Sequence, residues 1–250
     1  MAKAVRKKKS PARSKPSRPS RARYSPRALY LRLRRWVLRG VLGGVAFLLA
    51  LILLYSVVNP PITHTIWAEK RRLGDVDREW VPIEQISPNL ARSVVAAEDA
   101  RFCEHWGFDV NAIRNALESG ANRGASTITQ QVVKNVFLWQ GRSWFRKALE
   151  TFITPVVEAT WSKKRIVEVY LNVAEMGEGV FGADAAARHY FGVGADKLSP
   201  QQAALIAALL PNPKERSAAN PGNFMRKRAR QIMDGAATIE RDGRSACFEH

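Results

Sequence analysis

The sequence predicts a mainly α-helical domain preceded by one N-terminal transmembrane helix. Three observations carry this. Gly40–Val58 (GVLGGVAFLLALILLYSVV) runs nineteen residues without a charge. From Ser87 onward, capping residues repeatedly precede apolar residues at helical spacing. No alternating apolar–polar run argues for a strand. With 250 residues, 46% of them hydrophobic, the chain can build one ordinary domain and its core, plus an appendage.

The N-terminal appendage holds most of the charge. The formal net charge is +18, but residues 1–39 contain fifteen Lys/Arg and no Asp/Glu, leaving only +3 for the other 211 residues. The basic excess is therefore a property of a tail, which argues against a nucleic-acid-binding domain. Residues 1–35, rich in Arg, Lys, Ser and Pro, are expected to be a disordered tail. Residues 36–58 form the expected anchor. A cleaved signal peptide would have an apolar region of about 7–15 residues and a small-x-small site, whereas here the longer run leads into Val57-Val58-Asn59-Pro60-Pro61. The positive-inside rule keeps the tail in the cytoplasm and puts residues from about 60 onward outside. Basic residues near anionic headgroups add about 1 kcal/mol each to tethering.

Pro60–Pro61 stops the span, and residues 59–86 are expected as a membrane-proximal connector with Trp67 and Trp80 docked or near the interface. The domain occupies 87–235. Ser87-Pro88 opens a helix carrying Leu90, Val94 and Ala97. Asp109 caps a second with Ile113, Ala116 and Leu117. Ser126 or Thr127 caps a third through Phe137. Ser143 opens a fourth, in which Pro155 predicts a break or kink. Ser162 begins a fifth through Tyr170, and Ser199-Pro200 an apolar core helix ending at Pro211. Residues 236–250 are expected as a C-terminal tail. A disulfide between Cys103 and Cys247 is open if the domain is exported, but Cys103 as a small buried apolar residue is the simpler reading. The four histidines lack zinc-ligand spacing, and no Gly-rich phosphate loop implies an organic cofactor.

Three segments carry candidate chemistry. In Glu98–Asp109 an acidic pair, Glu98 and Asp99, ends an apolar helix, and Glu98, Phe102 and His105 fall at i, i+4, i+7. A carboxylate among apolar and aromatic groups is poorly solvated, its pKa rises, and it suits general acid–base work. A surface acid at a helix end is the plain alternative. In Gly124–Lys134 the helical spacing of Thr127, Gln130, Gln131 and Lys134 gives a polar stripe ending in a cation. This fits sugar hydroxyls and a phosphate, or simply a solvated helix face. In Arg142–Glu150, Arg142, Arg146 and Glu150 form i, i+4 pairs. That is a cationic clamp oriented by a carboxylate, or an ordinary salt-bridged helix.

Together, in this order and spacing, the segments resemble the peptidoglycan glycosyltransferases, the family shared by class A penicillin-binding proteins and monofunctional biosynthetic transglycosylases. Ser162–Ile166 leading to Tyr170-Leu171-Asn172, and Gly182 through Ala185–Ala187 to Tyr190-Phe191-Gly192, extend the resemblance over roughly 80–230. One departure is Ala125, where the family usually has a second glycine. The resemblance implies a lysozyme-like helical glycosyltransferase domain that polymerises lipid II into β-1,4 glycan and releases undecaprenyl pyrophosphate.

Glu98 and Glu150 are implied as catalytic. Asp99, Ser126, Thr127, Gln130, Gln131, Lys134 and Arg142 are implied as substrate-binding. The resemblance leaves room for a divalent cation, Mg2+ or Mn2+. Its partners would be lipid II, the growing glycan, the membrane and other cell-wall synthesis proteins. The absence of a Ser-x-x-Lys tetrad looks like the monofunctional type, without transpeptidase activity. The rival readings are a lysozyme-like enzyme that cleaves glycan, and a non-enzymatic membrane scaffold or nucleic-acid binder working through the tail.

Overall fold

The computed structural model describes residues 26–118, 126–141 and 143–249. The chain falls into two units, residues 1–48 and 49–250. The described part of the first is the body of helix α1 (Pro26–Tyr55). Within α1, Leu29–Tyr55 has a mean hydropathy of 2.5 and is almost unburied, which fits a single-pass membrane anchor. At about 1.5 Å per residue it exceeds a hydrocarbon core of about 30 Å. Residues 26–35, expected as disordered tail, are helical. Pro26 opens the helix, and Leu29, Leu31, Leu33 and the arginines between them are good helix formers. Residues 1–25 lie outside the described residues.

In the second unit the end of α1 is tied down. The Trp161 indole N–H donates to the Ile52 carbonyl at 2.8 Å. The Arg165 guanidinium donates to Tyr55 O, Val58 O and Asn59 Oδ1. The Tyr55 carbonyl is among those a helix leaves without partners at its C-terminus. Arg78 likewise donates to the Pro60 and Pro61 carbonyls. The connector is more ordered than its sequence suggests. Thr63 caps helix α2 (His64–Leu73), whose Ile66 is buried while Trp67 is largely exposed.

Helices dominate the rest. α3 (Pro88–Glu98) packs against α9 (Pro200–Leu209) and α10 (Asn223–Arg241). α9, expected as a core helix, is buried continuously from Ala203 to Leu209. The α3–α10 approach is close: a Cβ on Gly235 would stand 3.2 Å from Ala96 Cβ. α5 (Ile128–Phe137) packs against α6 (Trp144–Thr160) and α7 (Lys163–Val173), and α8 (Ala183–Phe191) follows. α4 (Val110–Glu118) is capped by Asp109, which accepts from Ala112 N, but it buries no residue, and Leu117 is exposed.

Several expectations change. Ser87 does not cap α3: its hydroxyl donates to Leu198 O, leaving Pro88 alone to start the helix. Pro155 does not break α6. It lies on the exposed side with Thr151, whose carbonyl loses its intrahelical partner where water can replace it. A small sheet exists, in the order β1 (Asp77–Arg78), β3 (Val180–Phe181), β2 (Glu175–Gly177), with β1 parallel and β2 antiparallel to β3. Two- and three-residue strands are too short to show an alternating pattern.

The C-terminal segment is not a tail. α10 runs to Arg241, and α11 (Ala246–Glu249) buries Phe248 against α7 and the turn at Phe102–Glu104. Cys103 is bonded to Cys247, with Cα atoms 5.8 Å apart, so the reading of Cys103 as a plain buried thiol is corrected. A contact across 144 residues of sequence leaves no local mark.

Candidate active site

α3 ends at Glu98 because Asp99 leaves helical geometry, at φ −160° and ψ 68°. The expected face shared by Glu98, Phe102 and His105 therefore does not form. Phe102 goes into the core beside Phe248. His105 Nε2 lies 2.8 Å from Asp99 Oδ1. The other Asp99 oxygen accepts from Ile128 N at 3.0 Å, at the start of α5. An anion at a helix N-terminus meets unpaired N–H groups and the positive end of the macrodipole. Asp99 is thus buried and joins the two candidate segments, while it also lines the cavity beside Glu98.

Behind this joint Thr127 and Gln130 form a capping box: each side chain bonds the other's backbone. Both are buried, and the Thr127 hydroxyl also donates to Gly107 O. The expected stripe is therefore split. Thr127 and Gln130 start α5, Thr127 also lining the cavity that Glu98 lines, while Gln131 and Lys134 line a neighbouring one. Gly107 has φ +76°, and a Cβ there would stand 2.5 Å from Thr154 Cγ2, so only glycine fits this close approach to α6.

Gln131 links three elements. Its amide N–H donates to Glu98 Oε2 at 2.8 Å, and its Oε1 accepts from the Tyr170 hydroxyl at 3.2 Å. Glu98 lines one cavity of about 400 Å3 with Asp99, Arg101, Asp109, Ser126 and Thr127. Gln131, Lys134 and Tyr170 line a second, of about 330 Å3, with Glu69, Glu175 and Lys214. The Glu98–Gln131 hydrogen bond connects residues of the two walls.

Burial raises the Glu98 pKa above the ordinary glutamate value; the Gln131 hydrogen bond and the charges of Arg228 and Lys134 oppose the rise, and Asp99 adds to it. Burial lowers the Lys134 pKa, Glu150 and Glu98 oppose this, and Arg146 and Lys147 add to it. Burial also pushes the Tyr170 phenol well up, with a contribution from Glu98, so it serves as a hydrogen-bond donor.

Glu150 is 3% exposed and is paired with Arg146, at 3.3 Å, and with Lys147. Lys147 also donates to the exposed Ser126 hydroxyl at 3.3 Å. Three cations, Lys134, Arg146 and Lys147, thus share the field of one buried carboxylate. Among the described residues, buried Arg146 Nε has no partner. Arg142 and Ala125 lie outside the described residues. Among the described residues no three His, Cys, Asp or Glu converge as metal ligands, and Glu150 is occupied by its cations. This donor set does not fit a resident divalent ion.

Sequence reasoning missed Tyr170 as a site residue, along with Lys147, Glu69, Glu175 and Lys214. Tyr170 and Lys147 stand inside segments that the family resemblance already marks. The other three come from α2, β2 and the loop after α9, and nothing local marks them as neighbours.

A half-buried carboxylate facing a polar cleft, with a cation cluster beyond it, suits transfer of a sugar from a phosphate-bearing donor. Residues 66–237 match the family described as Transglycosylase. The chain belongs to that family and is a glycosyltransferase. It is 56% identical over 237 residues to a biosynthetic peptidoglycan transglycosylase of Jannaschia sp. (strain CCS1), covering 95% of this chain and 98% of that one. It is 49% identical to the protein of the same name from Rhodospirillum centenum, covering 86% and 95%. With the one from Pseudomonas putida (strain F1) the identity is 50%, covering 79% and 88%.

Proposed function

We propose that this glycosyltransferase polymerises lipid II into β-1,4 glycan strands, releasing undecaprenyl pyrophosphate, on the outer face of the bacterial cytoplasmic membrane. The carrying observation is Glu98, half-buried and bonded to Gln131, in one cleft wall while Lys134, with Arg146 and Lys147 in its field, stands beyond. The names of the relatives support peptidoglycan as the product class.

Glu98 takes the proton from the acceptor's 4-hydroxyl as that oxygen attacks the anomeric carbon of the donor. Such general-base help is worth about 10²–10⁴-fold. The bond to the pyrophosphate breaks, and negative charge gathers on the leaving oxygens. Lys134, Arg146 and Lys147 are the fixed cations that meet this charge. Glu150 holds Arg146 and Lys147 in position, so it acts through them. Attack opposite the leaving group inverts the donor's α linkage. A divalent cation, Mg2+ or Mn2+, would supply further positive charge against the leaving pyrophosphate. Arg142 is proposed to join the cations.

The anchor fits this chemistry because both reactants are held in the membrane by lipid tails, and a tethered enzyme meets them at raised effective concentration. With the N-terminus cytoplasmic, the domain is extracytoplasmic, where the Cys103–Cys247 bond would persist. Exposed Trp144, Phe145 and Phe152 on α6 form the apolar surface proposed to dip among headgroups. Full-length protein in detergent should polymerise purified lipid II and leave intact glycan uncut; turnover of glycan alone would overturn this reading.

A further inference from the structure

α10 begins with four cations in two turns: Arg226, Lys227, Arg228 and Arg230. Three are exposed, and Arg228 is half-buried and turned towards α3. Its Nη2 donates to the Ala97 carbonyl at 3.2 Å. That carbonyl is one of the last four of α3, which have no partner within the helix and form the negative end of its macrodipole. The next residue is Glu98. A carboxylate at this end of a helix, partly removed from water, meets an unfavourable field, and an arginine there answers both problems.

We propose that Arg228 is a positioning residue for glycosyl transfer, clamping the last turn of α3 and supplying positive charge that keeps Glu98 an anion able to accept a proton. This rests on the reading of Glu98 as the base. The groups acting on Glu98 are Asp99 next to it, Gln131 and Lys134 on α5, Tyr170 on α7 and Arg228 on α10. α9, also packed on α3, has no titratable residue. Arg228 and Lys134 are the two cations acting against desolvation, and they come from different elements. Lys134 also faces the cation cluster, where the leaving group's charge is to be met. Arg228 bonds the α3 backbone and so is available to serve Glu98 throughout the cycle.

The test is the pH dependence of kcat/KM for lipid II, measured on full-length enzyme in detergent for wild type, Arg228→Met, Arg228→Lys and Glu98→Gln. Removing the charge should raise the acidic limb, so that Arg228→Met loses about tenfold at neutral pH and recovers as pH rises. Arg228→Lys should keep the wild-type limb. A loss in Arg228→Met of equal factor at every pH would reduce Arg228 to a structural clamp and overturn the proposal while leaving Glu98 as base. A wild-type acidic limb that survives in Glu98→Gln would overturn the base reading and this proposal together. If Arg228→Met fails to fold, Arg228→Gln and Arg228→Lys carry the comparison: equal limbs in both overturn it.

Discussion

Replacing Asp99 by alanine should unfold the joint between the two candidate segments rather than merely weaken ligand binding. The Asp99 carboxylate belongs to a residue only 7% exposed. It accepts from Ile128 N at 3.0 Å and lies 2.8 Å from His105 Nε2. Hydrogen bonds to a charged group contribute about 1.5–3 kcal/mol each, and placing an anion at a helix N-terminus adds about 0.3–1 kcal/mol. Alanine also leaves the Ile128 N–H and the imidazole without their partner inside the protein. The expected cost is about 3–7 kcal/mol when these contributions are taken together. That is a large part of an ordinary domain's stability of about 5–15 kcal/mol. Urea unfolding of the full chain in detergent measures it as a shift in midpoint at constant slope. Asp99→Asn, which keeps an acceptor for Ile128 N, should lose less. A midpoint unchanged in Asp99→Ala, with KM for lipid II raised, would refute this and return Asp99 to direct substrate contact.

Three further outcomes rest on particular contacts. Burial raises the folded-state pKa of Glu98 above its unfolded value. The protonated form is therefore the better folded one, and its stability contribution is lost as pH rises through the folded value. Glu98→Gln cannot ionise, so it should melt higher than wild type at neutral pH, and the gap should close as pH falls below the ordinary glutamate range; a gap independent of pH would contradict this. Gly107→Ala combines positive φ with a Cβ 2.5 Å from Thr154 Cγ2 and should destabilise by about 2–4 kcal/mol in a thermal melt; an unchanged melting temperature would count against the close approach. Cys247→Ser removes a crosslink across 144 residues. It should cost about 2–5 kcal/mol and speed protease cleavage in α11; unchanged proteolysis would mean α11 holds without it.

The helical character, the anchor and most capping positions were legible because they are local. Ser143, Thr127, Ser162 and Ser199 all cap the helices they precede. α10 was not read, although its buried Met225, Ala229, Ile232, Ala236 and Ile239 follow helical spacing, because the surrounding cations hide the stripe. The site was only half legible. Periodicity puts Thr127, Gln130, Gln131 and Lys134 on neighbouring faces, and whether such a residue caps its own helix or faces a cleft depends on where the chain enters. Glu98 and His105 separate because one residue, Asp99, leaves helical geometry. The Cys103–Cys247 pair and the Arg228–Ala97 contact join segments more than a hundred residues apart, and local pattern holds no record of either.

The proposed chemistry depends above all on the Glu98 carboxylate removing the acceptor's proton within the field of Lys134. Turnover of purified lipid II by the Glu98→Gln enzyme isolates that step, beside a melt showing that the protein is folded. The expected result is a loss of about 10²–10⁴-fold in a protein at least as stable as wild type. Polymerisation near the wild-type rate by that folded variant would rule Glu98 out as the base.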